Sequence, residues 1–469
     1  MRAWTVDADD IRVAEDFDES LLHRTPEIDG FLRSDRDDKF IVIGTKGFGK
    51  TLLLKAKRIL YQRDARAACL PTGNLLDKPI GDKVFSRESL AFFADSSLPW
   101  SKLWLTAIAA ATLKHLGRAD GLRVTAKLAG LMADERLQGV IDHFVRLLDF
   151  TPSELQRAAA DTDGHLLPRL RAVSSPVAIF IDGVDEYFNK HIESRASLPS
   201  VTGPLSPSVW YFAQLGLVEV AYQLRRINHH LKVFAAIRKE AYARLSTTVM
   251  SQQYRGSAVD IVYPVESLRE IFVNNIRLEK SDRMVRPERL RTDPIEAFLG
   301  RTKIHHVYTG EEEDAFDYVC RHTLLRPRDL MTIGERLAAL RPEERRHEHR
   351  VKEAVNVGAT EIAREYLIEI APMSATWTSS ASWGASPDTS SPATRSRSSS
   401  RATAPRAPLR RSVTCSVRSI ASVSSAISTT TGCAATGSSD SCGPARARSS
   451  PTASCHARRT TSCIPCCRT

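Results

Sequence analysis

The sequence predicts an α/β fold, a parallel sheet flanked by helices, on three observations. Asp38–Gly44 is a short apolar, β-branched run that ends at glycine and passes into a helical pattern. Val177–Ile181 is wholly apolar and ends on Asp182. Leu231–Ile237 is largely apolar and ends on Arg238. Each run has the length and bounding residues of a strand.

The segment after the first strand carries the chemistry. Gly44-Thr45-Lys46-Gly47-Phe48-Gly49-Lys50-Thr51 matches G-x-x-x-x-G-K-[ST], and Thr51–Leu60 continues as a helix. Glycines let the backbone curl so that successive N–H groups point at phosphate oxygens. The helix N-terminus adds partial positive charge. Lys50 is expected to reach the β- and γ-phosphates of ATP, and Thr51 to offer its hydroxyl to Mg²⁺.

A phosphate loop of this kind needs a magnesium carboxylate on a neighbouring strand. Asp182 stands at the C-terminal edge of the second strand, where ligands sit in open α/β sheets. The chain continues Gly183-Val184-Asp185-Glu186. Glu186, with Asp185 as competitor, is the candidate for polarising an attacking water.

These two motifs resemble the additional-strand P-loop ATPases, and within them the STAND/NACHT and AAA+-like group, including the origin-recognition type. The resemblance covers roughly residues 20–370. It implies a third element, a strand whose end senses the γ-phosphate, and Leu231–Arg238 fits with Arg238 as the sensor. It also implies a small helical lid with a second arginine sensor. Arg326-Pro327-Arg328-Asp329-Leu330, opening a helix, places Arg328 there. The expected organisation is an ATPase core over residues 1–290 with a helical insertion around 85–170, and a lid over 291–373. A homo-oligomer with an arginine finger from a neighbouring subunit follows by analogy, though no arginine is singled out for it.

The remaining elements follow in order. Trp100–Leu116 and Asp134–Leu148 are apolar at helical spacing, with Trp100 and Trp104 read as core. Thr151-Pro152-Ser153-Glu154 is a capping box with proline at the first helical position. Ser194–Ser208 reads as a long loop, and Val209–His229 as a helix. Asp260–Tyr263 reads as a further strand, broken by Pro264 before an amphipathic helix, Val265–Leu278. Arg341–Lys352 mixes both charge signs and suits an exposed helix. A GTPase reading fails because Asn189-Lys190-His191-Ile192 lacks the aspartate that reads guanine.

The chain has 469 residues and a net charge of +11. That charge sits almost wholly in residues 374–469, which hold 12 Arg, no Lys, two acids and 39 Ser or Thr. The body keeps a net of +1, so its charge does not suggest a nucleic-acid partner. The tail's composition predicts disorder. It lacks Glu, Gln, Lys, Asn, Phe and Tyr, and its residue types are those GC-rich DNA yields out of frame. Codons permitted for Ala375 through Arg397, read two nucleotides out of phase, allow apolar residues at helical spacing with a Thr-x-x-Glu capping box. A change of reading frame near Met373–Ala375 is therefore expected. The Cys463–Cys467 cluster has no partner pair at zinc spacing, and His347 and His349 have no metal-ligand pattern.

No apolar run approaches the ~18 residues of a membrane helix, and the N-terminus lacks an apolar signal core. With two cysteines in the body, a cytoplasmic protein is expected. The leading expectation is a Mg·ATP-dependent conformational or assembly switch. By resemblance to STAND-type proteins, its setting would be signalling or phage defence, with an effector or protein partner that the sequence does not name. The alternatives are a nucleic-acid-stimulated motor or loader, and a truncated inactive product.

Overall fold

The computed structural model describes residues 3–4, 8, 11, 13–17, 19, 22–33, 38–64, 67–72, 74–77, 93, 97–185, 207–245, 254, 256–306 and 309–370. These residues fall in one compact unit, Met1–Arg406, while a second unit, Ala407–Thr469, lies outside them. Glu186, Asn189–Ile192, most of Ser194–Ser208 and the whole tail from 374 also lie outside the described residues.

Five strands build the central sheet: β1 Ile41–Gly44, β2 Ala68–Leu70, β3 Val177–Ile181, β4 Leu231–Arg238 and β5 Ala258–Asp260. All pairings are parallel, in the order β2-β3-β4-β1-β5. The three runs singled out in the sequence are β1, β3 and β4. Every residue of β1 and β3 is buried, as parallel strands covered by helices on both faces require. On one side, the helix Lys50–Arg63 sends Tyr61 edge-on against Phe180 and Phe234, whose rings stack at 5.1 Å. The helix Pro207–Ile227 also packs on β4, and carries the helix Leu98–His115 behind it.

The expected strand Asp260–Tyr263 is displaced to Ala258–Asp260. Its partner β1 is short, pairing Ile41 with Ala258 and Ile43 with Asp260. One further bond, Ile261 N–H to the Ile43 carbonyl at 3.0 Å, ends the ladder. Beyond Gly44 the neighbouring chain curls into the glycine loop and offers no ladder to extend.

Between β2 and β3 lie the insertion helices Leu98–His115, Ala126–Ala133, Val140–Leu147, Pro152–Asp161 and Leu167–Arg171. Trp100 and Trp104 are core residues with no exposed surface. Trp104 stacks on Phe144 at 3.7 Å and donates Nε1–H to the Ala213 carbonyl at 2.8 Å. The box at Thr151 forms as expected, its hydroxyl accepting from Glu154 N–H and Glu154 accepting from Thr151 N–H. The single helix expected over Asp134–Leu148 is shorter, Val140–Leu147. Gly139, extended at φ −118°, is its N-cap, and a Cβ there would collide with the Asp77 carboxylate. Asp77 Oδ2 instead accepts the Ile141 N–H at 3.0 Å, capping that helix from outside.

A second apolar cluster begins after β5. The helices Val265–Leu278, Pro294–Leu299, Ala315–Cys320, Pro327–Ala339 and Glu348–Ile370 enclose Phe272, Phe298, Phe316, Ile333 and Val355. Trp4 joins it, 5.1 Å from Phe272 and 5.6 Å from Phe298. The Arg341–Lys352 stretch is not one exposed helix. A short turn, Pro342–Arg345, drives the Arg345 guanidinium over the Phe298 ring at 4.2 Å, fully buried, before the chain restarts at Glu348. Mixed charge predicts solvation only when each charged side chain can reach water, and Arg345 points inward. Among the described residues, no helix is long and apolar enough to cross a membrane.

Candidate functional site

The C-terminal edge of the sheet gathers the singled-out residues. Strand order reverses at β1, and such a switch point opens a crevice at strand C-termini. Between Gly44 and the helix Lys50–Arg63, the loop turns through Gly47 at φ +84° and Gly49 at φ +82°. Both values lie in the left-handed region that side chains with Cβ rarely occupy. Gly47 also has no room for a side chain, since its Cβ would stand 2.9 Å from Arg328 Cβ.

Thr51, in the first turn of that helix, donates its hydroxyl to Asp182 Oδ2 at 2.6 Å. Asp182 follows directly on β3, and its position is fixed from below. Asp77 N–H donates to the Phe180 carbonyl at 2.9 Å, and Asp182 N–H donates to the Asp77 carbonyl at 3.0 Å. Burial pushes the Asp77 carboxyl up to about 7. Thr51 and Asp182 thus offer two converging oxygens, a donor type that suits Mg²⁺ once phosphate and water oxygens complete the shell.

Lys50 donates Nζ–H to the Thr45 carbonyl at 3.0 Å. Burial, and next the Arg238 charge, lower its pKa below the ordinary lysine value. Arg238 stands beside Gly44 because the β1–β4 register pairs those two residues. Its N–H is held by Gln214 Oε1 at 3.0 Å. Its guanidinium makes two buried ion pairs, Nε with Asp185 and Nη1 with Glu369. Burial disfavours its charge, but the two carboxylates outweigh burial and raise its pKa. Burial likewise opposes ionisation of Asp185, and Arg238 with Lys50 overcomes it, so its carboxyl stays below the usual range.

The lid-side candidate, Arg328, opens the helix Pro327–Ala339 and meets the glycine loop through its backbone, N–H to the Gly47 carbonyl at 3.3 Å. Among the described residues its guanidinium has no ion-pair partner. Its neighbour Arg326 is the more engaged. Arg326 Nη1 donates to the Lys46 carbonyl at 3.3 Å and to Glu369 Oε2 at 3.1 Å, while Nε pairs with Asp329 at 3.1 Å. Phe48 of the loop stacks against Tyr263 at 6.1 Å, and the Tyr263 hydroxyl donates to the Phe48 carbonyl at 3.4 Å.

The sequence-level candidates Lys50, Thr51, Asp182, Asp185 and Arg238 therefore converge, Arg328 adjoins the loop, and Glu186 lies outside the described residues. Sequence reasoning missed Arg326, Glu369, Glu240 and Asp77. Glu240 follows Arg238 by two residues, with one carboxylate oxygen buried and unpartnered among the described residues. Burial raises its pKa. Its position just beyond β4 was the available signal. Glu369 carried none, being one acid in an ordinary helical pattern. No protein-family model, curated protein or solved structure matches this chain.

Proposed function

We propose that the chain binds and hydrolyses Mg·ATP at the C-terminal edge of β1, β3 and β4, as a conformational or assembly switch. The observation that carries this reading is the 2.6 Å contact between Thr51 and Asp182, which brings the glycine loop and the acidic strand together. The placing of β4 between β1 and β3 supports an additional-strand P-loop ATPase.

Lys50 and the loop amides would hold the β- and γ-phosphates, and the left-handed glycines turn those amides inward. Thr51 and Asp182 would hold Mg²⁺, which supplies charge neutralisation at the phosphate oxygens when bound. Because Asp185 is engaged by Arg238, we assign the orientation of the attacking water to Glu186. Arg238, at the end of β4, would stabilise charge on the γ-phosphate, with Arg328 approaching from the lid side.

The test is ATP turnover by the full-length protein, Lys50→Ala and Glu186→Gln. Lys50→Ala is expected to bind nucleotide about 10–100-fold more weakly. Glu186→Gln is expected to bind ATP but turn over about 100-fold more slowly or worse. Equal turnover in all three would sink the assignment.

A further inference from the structure

We infer that Glu369 is an internal competitor for the terminal phosphate, a carboxylate that occupies Arg238 and Arg326 until a nucleoside triphosphate displaces it and frees the last turn of the helix Glu348–Ile370. The inference rests on the nucleotide reading above and adds a mechanical output to it.

Glu369 bridges two guanidiniums that come from different parts of the fold. Oε1 pairs with Arg238 at the end of β4, and Oε2 pairs with Arg326 beside the glycine loop at 3.1 Å. All three side chains are nearly buried, with 2%, 7% and 8% of their surface exposed for Arg238, Arg326 and Glu369. Arg238 lies next to Gly44 in the sheet, and Arg326 donates to the Lys46 carbonyl. A single carboxylate therefore ties both arginines where a terminal phosphate would call on them.

Each guanidinium already has two carboxylate partners: Asp185 and Glu369 for Arg238, Asp329 and Glu369 for Arg326. Adding phosphate oxygens without removing a carboxylate would crowd like charges in a low-dielectric site. Asp185 cannot leave easily, because it is buried only four residues past the end of β3. Asp329 is pinned beside its own partner and also accepts the Leu324 N–H at 2.8 Å. Glu369 is different, since it lies in the last described turn of Glu348–Ile370, and opening that turn would release it. Helix ends open at little cost. Its departure would leave each arginine with one carboxylate and one open side for phosphate oxygens.

The helix end is thereby coupled to the γ-phosphate, and the coupling is reciprocal: a ligand that draws Glu369 away tightens triphosphate binding by the same factor. Nucleoside diphosphate, lacking the competing group, would leave the clasp closed.

The experiment uses the full-length protein, with MgATP and MgADP as probes. Hydrogen exchange of the amides of residues 366–370 should accelerate about fivefold or more with MgATP and stay unchanged with MgADP. In Glu369→Gln each arginine keeps one carboxylate, so neither charge is orphaned. That variant should bind MgATP about fivefold or more tighter than wild type, with MgADP affinity within about twofold. Wild-type binding of MgATP with unchanged or slower exchange at 366–370 overturns the inference. So does a Glu369→Gln variant that binds MgATP no more tightly. The wild-type exchange measurement stands without the variant. Failure of wild type to bind MgATP at all would remove the nucleotide reading itself.

Discussion

The Thr51 hydroxyl meets Asp182 Oδ2 at 2.6 Å, joining a helix N-terminus to the end of a strand 131 positions away in sequence. On the proposed reading the two oxygens hold Mg²⁺; as a bond alone, a partly buried hydroxyl–carboxylate contact contributes about 1–3 kcal/mol. Asp182→Asn keeps the shape and removes the charge. It should weaken MgATP binding at least about tenfold. ATP binding in the presence of EDTA should stay close to wild type. Paired calorimetric titrations with and without Mg²⁺ measure both.

Gly47 is constrained twice, by φ +84° and by the 2.9 Å approach of Arg328 Cβ. Gly47→Ala should destabilise the fold by about 1–2 kcal/mol from backbone strain alone. It should also push the Arg326–Arg328 corner off the loop. Urea denaturation reads the first effect, and a loss of nucleotide affinity reads the second.

Asp77 gives the sheet edge a pH dependence. Its folded-state pKa is pushed up by burial to about 7, from an ordinary 3.8. Between those values the native state holds a proton that the unfolded chain has released, so its contribution to stability falls as pH rises from about 4 to about 7. Asp77→Asn still offers an acceptor oxygen to Ile141 N–H, and should flatten stability over that window. Denaturation midpoints at pH 5 and pH 7.5 for wild type and variant test the sign. A wild-type contribution that grows with pH would contradict it.

The residues of the glycine loop and the acidic strand were legible in sequence because their backbone demands are local. Glycine spacing, a lysine and a threonine at a helix start, and an apolar run ending in Asp182 all leave marks over a few residues. The Arg238–Gly44 juxtaposition was half legible: the strand could be read, but its register against β1 is a property of the sheet. Glu369 and Arg326 were not legible, because a buried carboxylate at a helix end looks the same in sequence as one on a solvated face. Asp77 escaped for a related reason, since its partners are backbone groups of Ile141, Phe180 and Asp182, which carry no side-chain signature. The misplaced strand at Asp260 was set by the length of its partner rather than by its own residues.

Arg345 is buried with Nε and Nη1 unpartnered among the described residues, and burial lowers its pKa to about 10. Replacing a buried charge with an apolar side chain of similar volume is often stabilising. Arg345→Met, which keeps contact with the Phe298 ring, should raise stability by about 1–2 kcal/mol. Urea denaturation checks it; a loss of that size would mean the Arg345 contact with the Arg283 carbonyl outweighs its desolvation.

The most direct test of nucleotide binding is an equilibrium titration of the full-length protein with MgATP, run beside Lys50→Ala. Lys50 Nζ rests on the Thr45 carbonyl of the glycine loop at 3.0 Å, so its loss should fall on phosphate binding. Saturable binding by wild type, and binding about 10–100-fold weaker in Lys50→Ala, is the predicted result. No binding by wild type, or equal affinity in the two proteins, would contradict the account.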